Sequence, residues 1–165
     1  MIQVYRPAWE IEQLLSANGS VVQVTDVRLV DGQVQTYIEY RGQPRMFKED
    51  PWQVFQALRI TGATLAGVEF RDDNVYYTVA KAEQLYMPTG FLEKDWWSRD
   101  GALKTLTGVR LAGDGVDYDV LDAGRPDVKH ETEESVLRNL RITGATLTGV
   151  ELKDGNVHYT VVESS

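Results

Sequence analysis

Hydrophobic and polar residues alternate with a period of two on either side of four turn signals. The signals are Asp31-Gly32, Asp72-Asp73-Asn74, Gly113-Asp114-Gly115 and Asp154-Gly155. All are residue types that tolerate the positive φ of a tight hairpin. A two-residue turn places Leu29 opposite Val34 and Val27 opposite Thr36, then Phe70 opposite Val75 and Val68 opposite Tyr77. Further along it places Leu111 opposite Val116, Val109 opposite Tyr118, Leu152 opposite Val157 and Val150 opposite Tyr159. Every one of these falls on a single face, which predicts four β-hairpins, each with one buried side.

Ahead of each hairpin the spacing becomes that of a short helix. Asp50-Pro51-Trp52-Gln53 is a helix start: an acid at the N-cap, Pro at the first helical position and Gln three residues after the cap. Glu133 and Glu134 suit the positive end of a later helix. Leu14, Phe55, Trp96 and Leu137 share one slot, with Ala17, Leu58 and Leu140 a turn later, an apolar stripe that predicts packing on the hairpins. Gly19 and Gly101 read as helix ends. Where Asn18-Gly19 and Asp100-Gly101 stand, the other two helices have Arg59-Ile60 and Arg141-Ile142. Residues 2–5, 45–48, 84–87 and 127–130 predict a brief edge strand before each helix.

These elements recur. Residues 58–80, LRITGATLAGVEFRDDNVYYTVA, and 140–162, LRITGATLTGVELKDGNVHYTVV, lie 82 apart without a gap and agree at 17 of 23 positions. Half that offset brings in fainter copies from Val24 and from Leu106, giving a unit of 41 residues written four times. A unit this small does not bury a core alone. The chain has no cysteine to staple it, and two histidines cannot supply a zinc site to each unit. The expected fold is therefore α+β: four tandem βαββ units, each a helix plus a β-hairpin. Antiparallel sheets would carry helices packed on one face, with an approximate two-fold from an 82-residue duplication. Residues 1–82 and 83–165 are expected to form two repeat pairs. The layout is similar to that of glyoxalase and antibiotic-sequestering proteins, which enclose a cavity between curved sheets, without their metal-ligating His and Glu pattern.

Composition narrows the class. Apolar residues make up 42% and charged residues 25%, ordinary globular usage. No apolar run approaches the roughly 20 residues of a membrane helix. Residues 1–7 show no basic region followed by an apolar stretch, so no secretory signal is expected. With no cysteine, a cytoplasmic protein is expected. The net charge of −8 argues against a general nucleic-acid binder and for solubility, or for a basic protein partner.

Candidate chemistry is sparse. A nucleophile with a histidine base has only His130 and His158 to draw on. The hairpin register puts Glu151 opposite His158, and His130 reads as linker before the last helix. Asp114, Asp117, Asp119 and Asp122 invite a calcium reading. They lack the glycine and terminal glutamate of a calcium loop, and Arg110 falls opposite Asp117, so a paired, solvated strand face is expected instead. Gly62, Gly67, Gly108, Gly144 and Gly149 recur at fixed places and mark bulges or close backbone approach rather than a phosphate loop. The stretch from Tyr40 to Lys48 mixes three cations with two aromatics and reads as a turn. No catalytic residue, metal or cofactor is expected.

The outer hairpin face differs from copy to copy, as solvent or a partner would allow. Tyr37 and Tyr76 add aromatic area there, and Trp97 fills a slot held elsewhere by Leu15, Gln56 and Arg138. Aromatic residues of this kind anchor interfaces, so Tyr37, Tyr76 and Trp97 are the candidate binding residues. The expected function is non-enzymatic: a protein-binding or adaptor scaffold meeting another protein, with no nucleic acid and no membrane. The alternative is a small-molecule pocket between paired units.

Overall fold

A computed structural model describes residues 2–16, 22–93 and 104–164. Trp96, Trp97 and the pairs Asn18-Gly19 and Asp100-Gly101 lie outside the described residues. The described residues run β1 (Ile2–Pro7), α1 (Ala8–Leu15), β2 (Val22–Val30), β3 (Gln33–Tyr40), β4 (Gln43–Glu49) and α2 (Pro51–Leu58). They continue through β5 (Ile60–Thr61), β6 (Thr64–Arg71), β7 (Asn74–Lys81), β8 (Gln84–Pro88), α3 (Thr89–Phe91), β9 (Lys104–Ala112), β10 (Gly115–Asp122) and β11 (Arg125–Thr132). The last elements are α4 (Glu133–Asn139), β12 (Ile142–Thr143), β13 (Ala145–Lys153) and β14 (Asn156–Glu163).

The fold class corrects the sequence expectation. The described residues are mostly β, 66% strand against 19% helix, in four antiparallel sheets, and do not form a series of helix-plus-hairpin units with helices layered on a sheet. Length is the reason. Among the described residues no helix exceeds eight residues, and burial within them is confined to Ala8 and Ile11 in α1, Val54 in α2 and Val136 in α4. Two turns of helix cannot cover a sheet, so strands bury strands. Two sheets have four strands, ordered β12-β1-β7-β6 and β13-β14-β8-β5; two have three, β11-β10-β9 and β2-β3-β4.

The hairpins themselves stand in the predicted register. Leu29 faces Val34, Val68 faces Tyr77, Leu111 faces Val116 and Val150 faces Tyr159, as do the other four pairs. Asp31-Gly32 and Asp154-Gly155 take positive φ at both turn positions, and so do Asp72 and Asp73. The strand pairs also carry a bulge at Thr25, Ala66, Thr107 and Thr148, where the register slips by one residue. Three of these bulges place a threonine hydroxyl as donor to the facing carbonyl: Thr25 to Tyr37, Thr107 to Asp119 and Thr148 to Thr160. A bulge sharpens strand twist, and Gly67, Gly108 and Gly149 follow directly after three of them. Gly115 is required by space, since a Cβ there would lie 1.9 Å from the Glu131 carbonyl oxygen.

Two of the four brief edge strands prove to be interior. β1 pairs with β7 on one side and β12 on the other, and β8 pairs with β14 and β5. Each ends in a proline, Pro7 or Pro88, whose missing N–H suits the close of a strand. β4 and β11 do lie at sheet edges. The short strands cross between the halves of the chain: β12 joins β1 through Val4–Ile142, and β5 joins β8 through Leu85–Ile60. The larger apolar cluster accordingly draws Val4 and Ile60 together with Leu85, Tyr118, Ile142 and Tyr159. A second cluster joins Ile11, Val24, Val34, Val54 and Tyr77.

The helix stripe is shifted from its expected slot. Leu14 is 70% exposed, whereas the fully buried positions in α2 and α4 are Val54 and Val136, one residue before Phe55 and Leu137. Phe55, Leu137 and Leu58 pack only partly against the core, while Leu140 is buried. Each of these helices is left at once through a left-handed residue, Arg59 in one and Arg141 one residue past Leu140 in the other, which limits how much of the stripe reaches the sheet.

Candidate functional site

The strand exchange shapes a cleft. After α2 the chain turns at Arg59, with φ 57° and ψ 48°; after α4 it turns at Arg141, with φ 58°. Left-handed backbone in a residue with a Cβ costs about 1–2 kcal/mol, and it sends each following strand into the opposite sheet. There the Arg59 carbonyl accepts from the Tyr86 N–H at 2.9 Å, and the Arg141 carbonyl accepts from the Tyr5 N–H at 2.9 Å. The two arginines thus stand beside two tyrosines on the walls of a cavity of about 560 Å3.

Its rim is apolar and open to solvent. Trp9 and Leu14 come from α1 and Phe91 from α3, with Trp9 53% and Phe91 39% exposed. β1 and β8 meet their neighbours in matching ways. Gln3 Nε2 donates to Thr78 Oγ1 at 3.1 Å and Gln84 Nε2 to Thr160 Oγ1 at 3.2 Å; Pro7 faces Asn74 and Pro88 faces Asn156. Counting on from the two prolines, the third residue of α1 is Glu10 and the third of α3 is Phe91.

That correspondence breaks the symmetry of charge. Glu10 Oε1 accepts from Arg141 Nη1 at 2.6 Å, so Arg141 is paired. Arg59 instead lays its guanidinium over the Phe91 ring, Cζ to centroid 4.5 Å, and makes no ion pair among the described residues. Arg6, 8% exposed, also lines the cavity and lies close to the Tyr77 phenol. Burial pushes that phenol up, and Arg6 offsets part of the rise. The cleft therefore carries an excess of positive charge inside a chain of net −8.

The candidate residues read from sequence fall elsewhere. Tyr37, on the outer face of β3, donates its hydroxyl to Gln35 Oε1 at 2.7 Å and has Arg28 5.0 Å from its ring. Tyr76, outward on β7, meets Tyr5 at 5.7 Å and Arg71 at 4.2 Å. They lie in different sheets, and only Tyr76 approaches the cleft, through Tyr5. Trp97 is outside the described residues. The sequence carries one signal of these arginines: at an offset of 41 residues, Arg59 and Arg141 fall where Asn18 and Asp100 stand, residue types suited to left-handed backbone.

The acidic strand face is paired internally. Arg110 Nη1 reaches both Asp119 oxygens, at 2.7 and 2.8 Å. His130 is not in a linker but in β11, opposite Asp117, because the stretch before α4 is a full strand. Its Nδ1 lies 2.6 Å from Asp117 Oδ1 and its Nε2 2.7 Å from Asp114 Oδ1, and these hydrogen bonds hold it above its ordinary value of 6.5. Among the described residues no group of His, Cys, Asp or Glu is arranged to hold a metal ion. His158 faces Glu151, as the register predicted, and its ring meets Tyr86 at 5.9 Å. No helix of the described residues is long and apolar enough to cross a membrane. No family model matches the chain, and neither a curated protein nor a solved structure is significantly similar to it.

Proposed function

We propose that the protein is a non-enzymatic binder of a small organic anion with a flat apolar body, held in the cleft between β1–α1 and α2–β8. The observation that carries this reading is Arg59, stacked on Phe91 and without a carboxylate partner among the described residues, on the wall of a cavity of about 560 Å3. Small-molecule sites occupy roughly 300–1,000 Å3 and combine apolar walls with a few placed polar groups. Trp9, Leu14 and Phe91 supply the walls, and Arg59 the polar group. A guanidinium pairs a carboxylate through two parallel hydrogen bonds, and its own stack on Phe91 holds it in place for that. Binding rather than catalysis is favoured because, among the described residues, no serine, threonine, cysteine, histidine or lysine lines the cavity. A cytoplasmic setting suits a chain with no cysteine.

Calorimetric titration with 2-naphthoate and its neutral amide, 2-naphthamide, tests the reading. The carboxylate is expected to bind and the amide to bind on the order of tenfold more weakly, the worth of a charged hydrogen bond. Equal binding of the two, or none of either, would count against it.

A protein-binding role draws on a different observation. The edge strand β4 exposes Met46 and Phe47, and Met46 stands opposite Tyr37. Such a strand suits pairing with a partner, though Pro44 and Lys48 on it also guard against that.

A further inference from the structure

The two arginines of the cleft are equivalent in backbone and unequal in charge, and one residue makes the difference. Arg59 and Arg141 share a left-handed conformation, and each presents its carbonyl to a tyrosine N–H of the opposite half. Against Arg141 stands Glu10; against Arg59, at the corresponding place in its own helix, stands Phe91. We infer that Glu10 determines the charge of the ligand, limiting the cleft to monoanions by occupying the second of two anion sites. The inference rests on the small-anion reading of the cleft.

The physical case is one of competition. Glu10 and Arg141 are each about one-third exposed and 2.6 Å apart, so the pair is formed before any ligand arrives. A second carboxylate entering on that side meets a neutralised cation and a like charge on Glu10, and must displace the latter to gain a partner. An apolar or neutral end meets no such penalty. Arg59 meets no competing carboxylate among the described residues, and an aromatic ring attracts the guanidinium through its face without taking up its N–H donors. The cleft thereby orients its ligand: carboxylate on the Arg59 side, uncharged body towards Glu10. Without Glu10, the same walls present two unpaired guanidinium groups and favour a dianion.

The test compares 2-naphthoate with 2,6-naphthalenedicarboxylate on the full chain, as wild type, Glu10→Gln and the double variant Glu10→Gln/Arg141→Asn. Asn is chosen because it tolerates left-handed backbone, and circular dichroism checks that each variant is folded. The expected result is a wild type that prefers the monoanion and a Glu10→Gln variant whose preference for the dianion rises on the order of tenfold. The double variant should return towards the wild-type ratio, which separates release of Arg141 from a general change in shape. Binding of naphthoate to the wild type with an unchanged ratio in Glu10→Gln overturns the role of Glu10 and leaves the cleft reading intact. Binding of neither probe to any of the three proteins overturns both.

Discussion

The hydroxyls of Tyr118 and Tyr159 meet at 2.7 Å inside the core, joining strands 41 residues apart in sequence. Both side chains are fully buried, so each phenol relies on protein for its partner. Replacing one by phenylalanine leaves the other's hydroxyl without this partner and is expected to cost about 1–3 kcal/mol, whereas the double Phe variant should cost less than the two single changes together. Urea titrations of the two single variants and the double variant give the coupling directly.

The same pair predicts behaviour in alkali. Burial is the largest influence on both phenols and pushes them above their ordinary value of 10.0. The folded state then holds its protons where the unfolded chain releases them, so this stability is complete below pH 10.0 and is lost as pH rises further. Melting temperature should fall above that pH in the wild type, and less steeply in the double Phe variant.

His130 is expected to titrate high. Its two carboxylate contacts favour the imidazolium, Asp117 first and Asp114 second. A group raised in the folded state contributes stability below its unfolded value of 6.5 and loses it as pH rises through the folded value. An NMR titration should place His130 above 6.5, and Asp117→Asn should bring it down. A midpoint unmoved by that substitution contradicts the clasp.

The helix register gives a sharper contrast. Val54→Ala and Val136→Ala each remove two buried methyl groups and are expected to cost roughly 2 kcal/mol. Leu14→Ala, at a 70% exposed position, should stay within about 0.5 kcal/mol. Denaturant midpoints of the three variants decide between the observed register and the stripe through Leu14.

How much of this the sequence reveals follows from the range of each signal. The hairpins were legible because turn chemistry and period-two alternation are local and agree, as at Asp31-Gly32 with Leu29 and Val34. The interior place of β1 and β8 was not, since what makes them interior is pairing with β12 and β5 from the other half of the chain. Helix burial falls one residue before the expected slot in α2 and α4 and three before it in α1, because two turns are too few for a period of 3.6 to fix a face. The cleft was hidden for a related reason: Trp9, Arg59, Phe91 and Arg141 are brought together only by strand exchange, and no motif links them along the chain. What sequence could offer was the oddity of arginine in a slot shared with Asn18 and Asp100.

Backbone strain at that slot separates function from stability. Arg59→Gly relieves the left-handed cost of about 1–2 kcal/mol and loses the stack on Phe91, about 0.5–1 kcal/mol at an exposed site. Folding stability should therefore change by no more than about 1.5 kcal/mol, by urea titration, while binding of 2-naphthoate is lost. A strongly destabilised variant would make Arg59 a structural residue.

The most direct measurement is chemical-shift mapping of the full chain titrated with 2-naphthoate. The account predicts perturbations concentrated at Tyr5, Trp9, Arg59, Tyr86, Phe91 and Arg141, absent from the edge strand carrying Met46 and Phe47, and abolished in Arg59→Asn. Perturbations gathered at Tyr37, Met46 and Phe47 instead, or a spectrum indifferent to the ligand at saturating concentration, would contradict it.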